Sequence, residues 1–252
     1  KHAVKNISAT MVALLALWVS AAQAAEIRVL SAGAVEPALV ALAETFRRDT
    51  GNQVSLTFAT APVLRRKVTT GEAADILIAP PAVLDDFVKA GKVLAEDRAA
   101  LGRVGVGVAV RAGAPAPDIS TPDALKEAVL RADSLVYNEA STGIYFAKLL
   151  ERLGIADAVK AKTTRYPDGA AVFEHVIKGK GSEIGVGATT EIVSYTKKGL
   201  QLVGPLPAEI QSYTTYTAGV MPGAASPDAA RAFIRFLTSP PAKAAFAASG
   251  VN

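Results

Sequence analysis

The sequence predicts an α/β protein with doubly wound, mixed sheets. Short β-branched runs alternate along it with segments whose apolar residues recur at three and four spacing. Half of the 252 residues are apolar, enough for one large core or two modest ones. Two extended runs, Arg103–Arg111 and Tyr213–Met221, are longer and less interrupted than the others.

In chain order, residues 1–24 have the pattern of a secretory signal. Lys1 and Lys5 form a positive start, Ile7–Val19 is apolar, and Ala22-Gln-Ala24 supplies a small-x-small cleavage site. The apolar run is shorter than the roughly 20 residues a membrane span needs. Export to the periplasm with cleavage near Ala24 is therefore expected, leaving a soluble mature chain. Strands are expected at Ile27–Leu30, Val54–Ala59, Asp75–Ile78, Val104–Val110, Ser134–Tyr137, Thr163–Tyr166, Ile184–Gly187 and Tyr213–Val220. Helical faces lie between them, formed by Leu39, Leu42, Ala43 and Phe46, by Leu125, Ala128 and Val129, and by Tyr145, Leu149 and Leu153. Asp123 after Pro122, and Ser226-Pro227-Asp228, are read as helix starts.

The two long extended runs predict crossings between two lobes, with 26–106 plus 217–252 in the first and 107–216 in the second; one continuous sheet is the alternative. Alternating strands and helices imply parallel βαβ units, whose ligands gather beyond the carboxyl ends of the strands. Ile27–Pro37 is such a place: a strand running into a Gly-containing turn and a helix start. The free N–H groups and positive dipole end there suit an anion.

Composition excludes several classes. The net charge is +4, and Lys1 and Lys5 of the expected leader supply two of those charges, too weak a bias for nucleic acid. The absence of Cys removes disulfides, thiol catalysis and Cys-based metal sites; only His2 and His175 are present, so no His-rich metal site is possible. No Walker sequence, Ser-His-Asp order or paired-carboxylate motif occurs. No metal, no cofactor and a monomer are expected.

Ile27–Leu39, Gly51–Val68, Ala73–Ala79 and Thr142–Gly154 together resemble periplasmic molybdate-binding proteins and their relatives of the type 2 periplasmic binding protein superfamily. The markers are Phe46–Gly51 (Phe-x-x-x-Thr-Gly), Gly71-Glu-x-Ala-Asp75, Thr142-Gly-Ile-Tyr145 before Leu150-Glu-Arg-Leu-Gly154, and Ala229–Leu237 before Ser239-Pro240. They span nearly the whole expected mature chain in order. The resemblance implies two lobes joined by crossover strands that close over a small ligand. It also implies four ligand loops: Ser31–Glu36, Ala59–Pro62, Asn138–Gly143, and Pro167–Ala170 with Gly187–Thr190. Gly33, Ala34, Thr60, Ala61, Ser141, Thr142, Gly143, Gly169 and Ala188 are the binding candidates on these loops. The chain departs from the molybdate pattern at three of them. Ala34 and Ala61 replace ligand hydroxyls, and Ala188 replaces a pocket Tyr. Each lost hydroxyl removes a charge-assisted hydrogen bond of roughly 1.5–3 kcal/mol.

A longer, partly apolar anion is therefore expected, with an organic di- or tricarboxylate leading. Arg65 or Arg66, and Arg165, are candidate carboxylate partners; adjacent helix positions allow at most one of the first two to face inward, and a solvated face is the alternative. Ser141 and Thr142 also read as a cap, Tyr145 as core, Glu36 as a favourable helix-start charge and His175 as a surface or packed residue. The last three are nevertheless the candidates for proton transfer. The expected function is capture of the anion by lobe closure and delivery to an ABC permease, with molybdate or tungstate as lesser ligands. The alternative is an enzyme on the same scaffold, since aconitate isomerase is similar to this molybdate-binding-like group.

Overall fold

A computed structural model describes residues 24–252. The leader expected over residues 1–24, with Lys1, His2 and Lys5, lies outside the described residues apart from Ala24. The first lobe opens with β1 (Glu26–Ala32), a 3-10 turn (Gly33–Val35), α1 (Glu36–Thr50), β2 (Gln53–Ala59), α2 (Ala61–Thr69), β3 (Ile76–Ala79) and α3 (Pro81–Lys89). The long β4 (Ala99–Arg111) leads into the second lobe. There α4 (Pro122–Arg131), β5 (Ser134–Asn138), α5 (Ser141–Arg152), α6 (Ala156–Val159), β6 (Thr163–Tyr166) and α7 (Gly169–Lys178) follow. They are succeeded by β7 (Glu183–Ala188), α8 (Thr189–Ser194) and β8 (Leu200–Pro205). The chain returns through β9 (Tyr213–Val220) and ends in α9 (Pro227–Leu237) and α10 (Pro240–Ala248).

The strand order is β2-β1-β3-β9-β4-β7-β5-β6, with β8 also on β4. Strands β1, β2 and β3 are mutually parallel, as are β5, β6 and β7; β9 and β4 run antiparallel to their neighbours. Residue types follow position. β3 is buried throughout and accordingly reads Ile-Leu-Ile-Ala without alternation. At the sheet edge, β2 alternates exposed Gln53, Ser55 and Thr57 with partly buried Val54, Leu56 and Phe58.

One apolar core fills the first lobe. Phe46 of α1 meets Phe233 and Phe236 of α9 there, with ring centroids 5.0 and 5.4 Å apart. The second lobe has a cluster on each face of its sheet. Leu125, Phe146, Leu149 and Val186 belong to one, and Val172, Phe173, Val176 and Ile192 to the other. Ala188, at the end of β7, packs into the first lobe's core. The lobes also meet where Thr190 Oγ1 donates to the Ala34 carbonyl at 2.5 Å.

The partner of β4 changes at Val106. Up to Gly105 it pairs with β9; from Val106 onward it pairs with β7 and β8. The Gln211 side chain spans this junction. Its Oε1 accepts from Val106 N–H at 2.9 Å and its Nε2 donates to Val106 O at 2.9 Å.

The sequence reading omits β8, whose Leu200-Gln-Leu-Val is cut short by Gly204-Pro205, and begins β4 too late. The cap of α4 is Thr121, whose side chain accepts from Ala124 N–H at 3.1 Å; Asp123 lies in the first turn. Phe146 and Leu150 join Leu149 on the buried face of α5, while Tyr145 and Leu153 flank it.

Candidate functional site

The carboxyl ends of five strands converge on one cleft between the lobes. It is lined by Ala32–Ala34 after β1, Ala59–Ala61 after β2, Pro80 after β3, Asn138 with Ala140–Thr142 after β5, and Ala188 and Glu191 after β7; Tyr216 of β9 completes it. The enclosed space is about 30 Å³. Five helices start at its rim: α1 through its 3-10 turn, then α2, α3, α5 and α8. Their N–H ends give the cleft a positive field although, among the described residues, no Lys or Arg lines it. Thr60 precedes α2 without capping it, and its buried Oγ1 has no partner among the described residues. That hydroxyl remains available to an acceptor in the cleft.

The wall after β5 is built around Asn138, which is 3 % exposed. Its Oδ1 accepts from Ala140 N–H at 3.1 Å, Gly143 N–H at 3.1 Å and Thr142 Oγ1 at 3.3 Å. The Asn138 side chain thus caps α5, satisfying N–H groups that the helix itself cannot. Gly143 fits because a Cβ there would overlap the Asn138 carbonyl.

Among the described residues, Glu191 is the only carboxyl residue lining the cleft. Its Oε1 lies 2.6 Å from the position of a Cβ on Gly33, and its Oε2 lies 3.0 Å from that on Gly169. Two glycines, one from each lobe, leave room for this carboxyl. Burial, then the charge of Glu36, then that of Asp168, push its pKa up to about 7. The helix starts beside Gly33 and Gly169 act in the opposite sense, favouring the charged form. Burial, and after it the charge of Glu191, hold the Tyr216 phenol above the usual tyrosine range.

Of the residues proposed from sequence, the fold brings Gly33, Ala34, Thr60, Ala61, Ser141, Thr142 and Ala188 to the lining. Gly143 and Gly169 stand just behind it, the first against Asn138 and the second against Glu191. The arginines do not line it. Arg65 pairs with Asp86 at 2.8 Å across an exposed helix face. Arg165 is exposed, donating to the Asn138 carbonyl at 3.3 Å and lying over the Tyr137 ring at 5.1 Å, so it braces the wall from outside.

The three residues considered for proton transfer also fall outside the lining. Glu36 is exposed at the start of α1, Tyr145 donates its hydroxyl to Ile210 O at 2.6 Å, and His175 Nδ1 shares a 3.0 Å hydrogen bond with the Tyr166 hydroxyl in a separate surface depression. Glu191 and Tyr216 were missed. In sequence, Thr189–Tyr195 resembles a short solvated helix; the one available signal was that Glu191 follows the expected loop Gly187–Thr190 directly.

A larger cavity of about 610 Å³ lies elsewhere in the second lobe, lined by Arg111, Ala128 and Glu183 among others, at the far end of β7 from the cleft. The cleft, with its converging strand ends and helix starts, is the better-built candidate site.

Comparison with known proteins identifies the family and the fold. Residues 27–252 match the family described as bacterial extracellular solute-binding protein. An aconitate isomerase from Pseudomonas sp is 30% identical over 232 residues, covering 89% of this chain and 86% of its own. The periplasmic molybdate-binding protein of Azotobacter vinelandii superposes with a TM-score of 0.75 at 16% identity, over 90% of this chain and 98% of its own. The sulfate-binding protein SubI of Mycobacterium tuberculosis H37Rv gives 0.70 at 21% identity, over 90% and 86%. The latter two share the fold. Among the described residues, no helix is long and apolar enough to cross a membrane.

Proposed function

The chain belongs to the family of bacterial extracellular solute-binding proteins, and from that premise we propose that it takes a small organic polycarboxylate into the cleft and shifts a proton within it, as an aconitate-isomerase-type enzyme. The observation that carries this reading is the lining of Ala34, Ala61 and Ala188 beneath converging helix starts. The field for an anion is retained, while the hydroxyls and ring suited to a compact oxyanion are replaced by methyl groups. The relationship to the Pseudomonas aconitate isomerase supports the substrate class and the reaction. A tricarboxylate exceeds the closed space of about 30 Å³, so the lobes part to admit it. The leader pattern ending near Ala24 supports action in the periplasm.

The test is a thermal-shift panel of cis- and trans-aconitate, citrate, molybdate, tungstate, sulfate and phosphate, followed by ultraviolet monitoring of trans-aconitate at high protein concentration. Stabilisation by the tricarboxylates together with conversion supports the reading; stabilisation by molybdate alone overturns it. A second reading, capture of a compact oxyanion for an ABC permease, is favoured by the small closed cavity and its lack of basic side chains. Stabilisation without conversion supports capture in place of catalysis.

A further inference from the structure

We propose that Glu191 is the group that removes and returns the proton in the cleft. The role rests on the polycarboxylate reading above and adds a reacting residue to it. Three features of position carry the inference. Among the described residues, Glu191 is the only carboxyl residue in the lining. Its two oxygens sit against Gly33 of the first lobe and Gly169 of the second, so the carboxyl stands at the seam where the lobes close. Among the described residues its carboxyl oxygens receive no hydrogen bond, which leaves their lone pairs for a substrate. The groups around it are Glu36 from α1, Asp168 ahead of α7, Tyr216 from β9 and Tyr195 just past the end of its own helix. None of these is basic, so no cation competes with the substrate proton.

The step balances within the protein and its substrate. The ionised Glu191 takes one proton from the methylene carbon flanked by a carboxylate and the carbon–carbon double bond. That C–H bond breaks, an O–H bond forms on Glu191, and the electron pair spreads over the allylic carbons and the adjoining carboxylate. Helix-start N–H groups and the Thr60 hydroxyl face this developing charge. Glu191 then returns the proton to the opposite end of the allylic system, a new C–H bond forms, and the double bond has moved by one carbon. No oxidant, reductant or cofactor takes part. A base serves best when its pKa lies near the working pH, and burial with two acidic neighbours holds Glu191 there, at about 7.

The experiment follows exchange of substrate methylene protons into deuterated water by nuclear magnetic resonance, with ultraviolet conversion and thermal shift run in parallel. The probe is trans-aconitate, with wild type, Glu191→Gln and Glu191→Asp. Glu191→Gln is expected to slow exchange and conversion by about 10²- to 10⁴-fold while the ligand still stabilises the variant. Glu191→Asp falls between the two. For wild type, the rate rises with pH and levels off above about 7, because only the ionised form abstracts a proton. Glu191→Gln exchanging within tenfold of wild type overturns the role and leaves the substrate reading standing. A profile flat from pH 5 to 8 does the same, and decides the matter with Glu191→Asp if Glu191→Gln does not fold. Wild type that neither binds nor converts any tricarboxylate removes the reading and the role together.

Discussion

The two walls of the cleft are made differently. The first lobe presents mostly backbone and small side chains, Ala32–Ala34, Ala59–Ala61 and Pro80, with the Thr60 hydroxyl and the Tyr216 phenol the exceptions. The second presents a polar scaffold fixed by Asn138 and the carboxyl of Glu191. The first wall is rich in helix starts, and the second holds the cleft's carboxyl. A site of this design can change its ligand by altering methyl-sized positions on the first wall without disturbing the hydrogen bonds of the second.

The sharpest way to break the contrast is Gly143→Ala. Its Cβ meets backbone that cannot turn aside, so the second wall must shift, at a cost of about 3 kcal/mol in urea unfolding. On the other wall, Gly33→Ala meets only the end of the Glu191 side chain; it should leave stability nearly intact and displace that carboxyl.

Next comes the pH dependence of Glu191→Gln. In the unfolded chain this Glu ionises near 4.5, and in the folded protein near 7. A raised acid pKa means that wild-type stability is full below 4.5, declines as pH rises to about 7, and is level above. Comparing unfolding at pH 4 and pH 8 should therefore show the Gln variant gaining about 2 kcal/mol relative to wild type at the higher pH, a figure reduced for partial solvent access. Equal gains at both pH values would remove the titration argument.

On the first wall, Ala34→Ser with Ala61→Ser restores two hydroxyls. Affinity for sulfate or molybdate should rise by about tenfold or more by calorimetry, at the expense of the tricarboxylate. The smallest effect is expected from Arg65→Ala: loss of its exposed pair with Asp86 should cost under about 1 kcal/mol and leave ligand binding unchanged.

Much of this architecture was legible because periodicity and burial agree. Leu39, Leu42, Ala43 and Phe46 repeat as a helix face must, and all are buried. The loops that reach the cleft follow strands, and strand ends are recognisable as places. The direction of a charged side chain is less legible. Arg65 looked available because its partner, Asp86, lies on the next helix, and no local pattern reveals that pairing. Glu191 was overlooked for the converse reason. Its neighbours Gly33 and Gly169 are remote in the chain, and only lobe closure makes a solvent-like helix position part of an interior. β8 escaped because a short strand ending in Gly-Pro carries too few residues to display a period.

At Val106 the ladder is completed by the Gln211 amide, a side chain standing in for a strand. A strand edge separates only by unzipping many bonds in succession; a terminal amide can swivel. The shared strand β4 would then act as an axle and Gln211 as its bearing. Parting the lobes on that axle would also withdraw Ala188 from the first lobe's core and break the Thr190–Ala34 bond. The molecule would thereby join a single unbroken strand through both halves to a cleft whose closure is held by contacts remote from that strand.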